Sequence, residues 1–151
     1  MRQRRLALAC VAIIAVVVTS ASVAGAKSTI KEFMGENFAG MHTILVALIT
    51  SNYASVPAQA AVIRDHAEQL TELVPDRAKN ERDQFLSYAY NLKSHAQDLK
   101  VIAELLIKHD QEKKDGDLST DQLREALAAH YGGMVTTCVA CHNRYRPQII
   151  R

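Results

Sequence analysis

Cys138, Cys141 and His142 are the residues whose types and spacing most directly offer chemistry. They form the run Cys138-Val139-Ala140-Cys141-His142, two thiols three positions apart followed at once by an imidazole. That pattern is the attachment signature of a c-type haem. Each thiol adds across one vinyl group of the macrocycle and becomes a thioether. On a helical turn, the two intervening residues set the sulfurs at the separation of the vinyls. The next residue lies beneath the iron, so His142 is expected as an axial ligand through a ring nitrogen. Two other chemistries use paired cysteines. A thiol–disulfide couple calls for a βαβ context, and no strand-like alternation lies nearby. A zinc site needs further ligands in a second cluster, and the third cysteine, Cys10, falls in a segment that reads as a leader.

That leader begins with Arg2, Arg4 and Arg5, continues through the uncharged apolar run Leu6 to Val18, and ends in Ala24-Gly25-Ala26. Basic start, apolar run and small-residue site together predict a signal peptide over residues 1–26, cleaved before Lys27. The uncharged stretch from Leu6 to Ala26 is long enough to span a membrane. Thr19, Ser20, Ser22 and Gly25 dilute its second half, and the cleavage pattern argues for removal, so no stable membrane span is expected in the mature chain. Haem of the c type is attached outside the bacterial cytoplasm. Leader and signature therefore support each other, and the expected location is the periplasm.

The chain carries 18 basic and 16 acidic residues. Losing Arg2, Arg4 and Arg5 with the leader turns the net charge to about −1. Nothing in this balance points to nucleic acid. The remaining residues, 27–151, suffice for one domain with its own core.

That domain reads as all-α, with four helices and no strands. The first is expected from about Thr29 to Ser51, capped by Ser28 or Thr29. Its apolar residues Ile30, Met34, Phe38, Met41, Leu45 and Leu48 recur at helical spacing, and this stripe is expected to face inward. Pro57 opens a second helix that runs to about Val74, with Ile63, His66, Leu70 and Leu73 on one face. The segment Arg77 to Arg82 reads as a charged loop. A third helix, about Glu81 to Lys113, carries Phe85, Ala89, Leu92, Ala96, Leu99, Ala103 and Leu106 in strict 4-3 alternation, a close-packing seam of large and small residues. Asp115-Gly116-Asp117 reads as a turn rather than a calcium loop, because Gln111, Lys113 and Gln122 stand where carboxylates would be needed. Ser119 and Gln122 form a capping box that opens a fourth helix reaching Tyr145. Gly132-Gly133 interrupts its pattern and suggests room for something bulky, the haem edge among the candidates.

The opposite face of the iron decides what the haem does. A strong second ligand gives a six-coordinate centre suited to electron transfer; an open or blocked face gives a gas-binding centre. Met134 shares a helix with His142 and cannot easily reach the far side. Met34 and Met41 lie on the first helix's apolar stripe. His42 is about 80° round from Met34. His66, His95, His109 and His130 read as solvated or hydrogen-bonded histidines.

The mature chain resembles the cytochrome c′ family in its export signal, its helical pattern, its terminal Cys-x-x-Cys-His and the Tyr145-Arg146 pair that follows. The resemblance implies an antiparallel up-down four-helix bundle holding one covalent haem c. Met34-Gly35-Glu36-Asn37-Phe38-Ala39-Gly40-Met41 is similar to the stretch that carries the methionine ligand in the low-spin branch, which implies Met34 as second axial ligand with Met41 as the fallback. The function so implied is single-electron transfer between redox partner proteins, without catalytic residues. The alternative is a five-coordinate binder of nitric oxide or carbon monoxide, with Phe38 or Met41 crowding the distal face. The position four residues before Met34 is Ile30 rather than the arginine frequent in the family. Arg146 or Arg144 remains a candidate propionate contact. The family likeness also makes a homodimer plausible.

Overall fold

Residues 29–112 and 119–145 are described by the structure, a computed structural model. They form four helices: α1 (Ile30–Thr50), α2 (Val56–Leu70), α3 (Arg82–Glu112) and α4 (Thr120–Tyr145). Short 3-10 segments, Tyr53–Ser55 and Asp76–Glu81, stand before α2 and α3. There is no strand among the described residues, and none of their helices is long and apolar enough to cross a membrane. Residues 1–26 and the Asp115-Gly116-Asp117 turn lie outside the described residues.

Local chemistry sets most of the helix ends. Thr29 caps α1 reciprocally with Glu32: the Glu32 N–H donates to Thr29 Oγ1 (3.3 Å), and the Thr29 N–H donates to Glu32 Oε2 (2.7 Å). α1 stops at Ser51, which takes a left-handed conformation with φ of 53°. Ser119 and Gln122 open α4 in the same reciprocal way. α2 ends at Leu70, not near Val74 as expected. Its exit tightens into i→i−3 bonds, from the Glu72 N–H to Gln69 and from the Leu73 N–H to Leu70, as the chain approaches Pro75. The charged segment expected as a loop is mostly the second 3-10 segment.

α3 holds the assembly together. Its whole expected seam, from Phe85 to Leu106, is buried. Alanines between leucines let neighbouring backbones approach closely. α2 and α4 both pack extensively along α3, while α1 packs on α2. The main core joins Ile63, Leu99, Leu106, Leu127 and Met134.

α1 departs from expectation. Its buried line is Phe33, Asn37, Gly40, Ile44 and Ala47. Met34 and Met41 are half-buried, and Phe38 is 76% exposed. The expected inward stripe is thus rotated about 60–120° from the true one. The buried line is not uniformly apolar, which is why an apolar pattern misplaces it. Gly40 lets α2 come close: a Cβ there would meet Gln59 Oε1 at 3.2 Å and Ile63 Cδ1 at 3.4 Å. Buried Asn37 holds the seam by its Oδ1, 2.8 Å from His66 Nδ1. His66 also stacks on Phe33 (4.6 Å between ring centres) and reaches Glu36 through Nε2 at 3.2 Å.

α4 runs unbroken through Gly132 and Gly133. The space at Gly133 is taken by the ring of His95, whose nearest atom would be 2.5 Å from an added Cβ, whereas a Cβ at Gly132 would meet nothing within 4 Å. His95 in turn places its Nδ1 3.3 Å from His130 Nδ1. Gly133→Ala is expected to destabilise the fold by about 1–3 kcal/mol through overpacking. Gly132→Ala is expected to be neutral or to stabilise by up to about 1 kcal/mol. Urea unfolding of both variants, and of Gly133→Ala combined with His95→Ala, checks this; the second change should recover most of the loss.

Candidate functional site

The Cys138-to-His142 run occupies the last turns of α4, which ends at Tyr145. This placement decides what the thiols can do. Reactive Cys-x-x-Cys thiols sit at helix N-termini, where the dipole stabilises a thiolate. Here the run lies at the opposite pole. Both cysteines are free and half-buried. Burial pushes the Cys138 thiol above its ordinary value. Burial first, and then the neighbouring Cys138, push Cys141 from 9.0 to about 11. Side chains three apart on a helix have Cβ atoms roughly 5–6 Å apart, whereas a disulfide wants about 3.5–4.5 Å. The helix therefore holds two neutral thiols that cannot close on each other without local unwinding.

The two thiols rest on different surfaces. Cys138 packs on the main core, as do Met41, Leu48 and Tyr131. Cys141 packs on the cluster of Ala78, Phe85 and Leu86, beside Val74 and Tyr145. His142 is exposed. Among the described residues no three His, Cys, Asp or Glu side chains converge as a bound metal ion would need. Two separated sulfurs and one unengaged imidazole suit a macrocycle gripped at its edge better than a compact ion site.

α4 has two unlike flanks. His130 and Gly133 meet His95 of α3. On the other flank lie His142, Val135 (37% exposed) and Val139 (52% exposed), turned away from α3. α1 is divided in the same way. Phe33, Asn37 and Gly40 meet α2, and Met34, Met41 and Leu45 lie on the flank turned away from it. α1 and α4 share no seam comparable to the other three. Each thus carries a flank that is only partly covered, one with half-buried Met34 and Met41 and one with exposed His142.

Met34 packs with Ile30 and Leu73 on Phe33, Leu70 and Ala89. Ala89 is one turn along α3 from Phe85 and Leu86, which carry Cys141. The start of α1 and the end of α4 therefore rest on the same first turns of α3. Met41 lies about 10 Å further along α1 and packs on the main core. Met134 is fully buried core. His66, His95, His109 and His130 each have hydrogen-bond partners, and His42 is exposed. Arg146 lies outside the described residues.

Arg144 is committed elsewhere. Its Nε and Nη2 donate to the two carboxylate oxygens of Glu81 at 2.7 and 2.8 Å. This pairing holds the Glu81 carboxyl below its usual range. Tyr145 OH adds a bond to Glu81 Oε2 at 3.2 Å. Sequence reasoning missed this cluster and the Asn37–His66 pair. Their partners stand 63 and 29 residues apart, and no local pattern marks them. No family model, curated protein or solved structure matches the chain.

The thiol environment has a direct consequence for the chain without haem. Folding raises both thiol pKa values, so folding stability should fall as pH rises from 9.0 towards about 11. At pH 8, alkylation by iodoacetamide should be at least about tenfold slower in the folded chain than in urea, because thiolate is the reacting form. Equal rates would contradict the buried, neutral state of the pair.

Proposed function

We propose that residues 27–151 are an exported, periplasmic monohaem c-type cytochrome of the cytochrome c′ type, an antiparallel up-down four-helix bundle that carries single electrons. The observation that carries this reading is the position of Cys138-Val139-Ala140-Cys141-His142. It lies at the C-terminal end of a continuous helix whose thiols are held neutral and whose flank is only partly covered. A disulfide exchanger would want the opposite helix pole, and a zinc centre would want converging ligands.

In this reading Cys138 and Cys141 would hold haem c through thioethers, and His142 and Met34 would be the residues that ligate its iron. The bound iron supplies one-electron chemistry, its potential set by ligand type, burial and hydrogen bonding. The residues of the chain do the rest. The apolar flanks of α1 and α4, part-exposed at Leu45, Val135 and Val139, would shield a bound macrocycle from water. α3 fixes the depth at which the motif sits. Phe33 and the His66–Asn37 pair hold the α1 turn that carries Met34 against α2. No acid, base or nucleophile is required, and the partners are redox proteins. Met34 is preferred to Met41 because its cluster and that of Cys141 occupy adjacent turns of α3. The five-coordinate gas-binding alternative asks Phe38 or Met41 to crowd the iron; Phe38 is largely in solvent. Arg146 stays a proposed propionate contact, and a homodimer stays a proposal from the family likeness.

Protein secreted by a host able to attach c-type haem should keep its pigment after acid–acetone or urea treatment. Its ferrous spectrum should be low-spin and indifferent to carbon monoxide. Met34→Ala should convert it to a carbon-monoxide-sensitive centre with a lower reduction potential, whereas Met41→Ala should keep the low-spin spectrum. A wild-type ferrous spectrum that is high-spin and shifts with carbon monoxide would replace electron transfer with gas binding.

A further inference from the structure

His142 lies in the last described turn of α4, just ahead of Pro147, which has no N–H to return to the helix, and helix ends fray. Here that turn is tied down from outside, and every tie comes from the 3-10 segment and the start of α3. Glu81, the last residue of that segment, takes both donors of the Arg144 fork and the Tyr145 hydroxyl. Arg77 Nη1 reaches Tyr145 O, the carbonyl of the last described residue of α4, at 3.5 Å. The Tyr145 ring stands edge-on to Phe85 and Tyr88, at 5.7 and 6.2 Å between centres. Bidentate pairing fixes orientation as well as distance, and Arg144 is two positions beyond His142.

We propose that Glu81 is a positioning residue for His142: by latching Arg144 and Tyr145 it keeps the final turn of α4 helical and so sets the orientation and retention of the axial imidazole. The ligand role rests on the function proposed above; the latch itself rests on the contacts alone. The hydrogen bonds of Glu81 go to Arg144 and Tyr145, so its effect on His142 runs through them. An exposed single ion pair contributes little to global stability. A latch at a fraying end acts instead on local opening, which is the quantity an axial ligand feels.

The test is Glu81→Gln in the haem-loaded secreted protein, with Glu68→Gln as control, since that change removes the Lys93–Glu68 pair between α2 and α3. Covalent haem content should be unchanged. Amide exchange across residues 142–145 should quicken roughly fivefold or more in Glu81→Gln and not in the control. Replacement of the axial histidine by added imidazole should quicken to a similar degree, with a shift in reduction potential. The charge swap Glu81→Arg with Arg144→Glu should recover most of the effect. Unchanged amide exchange in Glu81→Gln overturns the latch. Faster amide exchange with unchanged imidazole replacement and potential overturns the positioning role. A wild-type chain that carries no covalent pigment overturns the haem reading instead, and the amide-exchange arm still decides whether the latch exists.

Discussion

Close packing along one face of α3 is the constraint on which the rest of the molecule depends. Ala89, Ala96 and Ala103 alternate with leucines on that face, so α2 and α4 both settle against it. α1 rests mainly on α2 and touches α3 where Phe33 and Met34 meet Ala89. This hierarchy leaves α1 and α4 each with one well-packed flank and one only partly covered. The open part of α1 costs apolar exposure: Phe38 and Ile49 are each about three-quarters in solvent. In the proposed reading, the weak α1–α4 seam and the Cys-x-x-Cys-His run beside it would belong to one arrangement, with the macrocycle taking the place of side-chain packing.

Helix polarity does similar work for the chemistry. The same Cys-x-x-Cys spacing at a helix N-terminus lowers a thiol pKa and makes a redox couple. At the C-terminal end, with Phe85 and Leu86 beneath Cys141, the thiols stay protonated. The turn would then serve as an attachment point rather than a reactive centre. In that role it would need rigidity more than reactivity, and the contacts of Arg144 and Tyr145 supply rigidity at the end of the helix.

What could be read from the sequence follows the range of the interactions involved. The α3 seam, the Thr29 and Ser119 caps and the helical motif are all local, decided within a few turns, and each stood in the pattern. The buried line of α1 was not legible. It runs through Asn37 and Gly40, residues whose burial makes sense only once His66 and Ile63 are known to face them. Apolar Phe38, Met41 and Leu45 drew the expected stripe toward themselves because periodicity cannot tell a face covered by a helix from one left bare. Gly133 was misread for a related reason. A glycine announces space but not its occupant, and here the occupant is His95. Half of the candidate site, the motif, was therefore plain in sequence. The other half depends on which turn of α1 meets the first turns of α3.

That second half is reached by elimination joined to depth. Four of the six histidines outside the leader are tied into other contacts: His66 with Asn37 and Glu36, His95 with His130, and His109 with Thr120. Freeing His66 would break a contact between α1 and α2, and freeing His95 or His130 one between α3 and α4. Met134 is sealed inside the core on the same helix as His142. Met34, Met41 and His42 are left. His42 lies on the exposed side of α1, beyond the methionines on the helical wheel. Between the methionines, depth decides. Cys141 and Met34 rest on adjacent turns of α3, while Met41 is some two turns further along α1. A haem anchored by Cys141 and ligated by His142 would meet Met34 first, and the α1 turn that carries Met34 is the one that Phe33, Asn37 and His66 pin to α2.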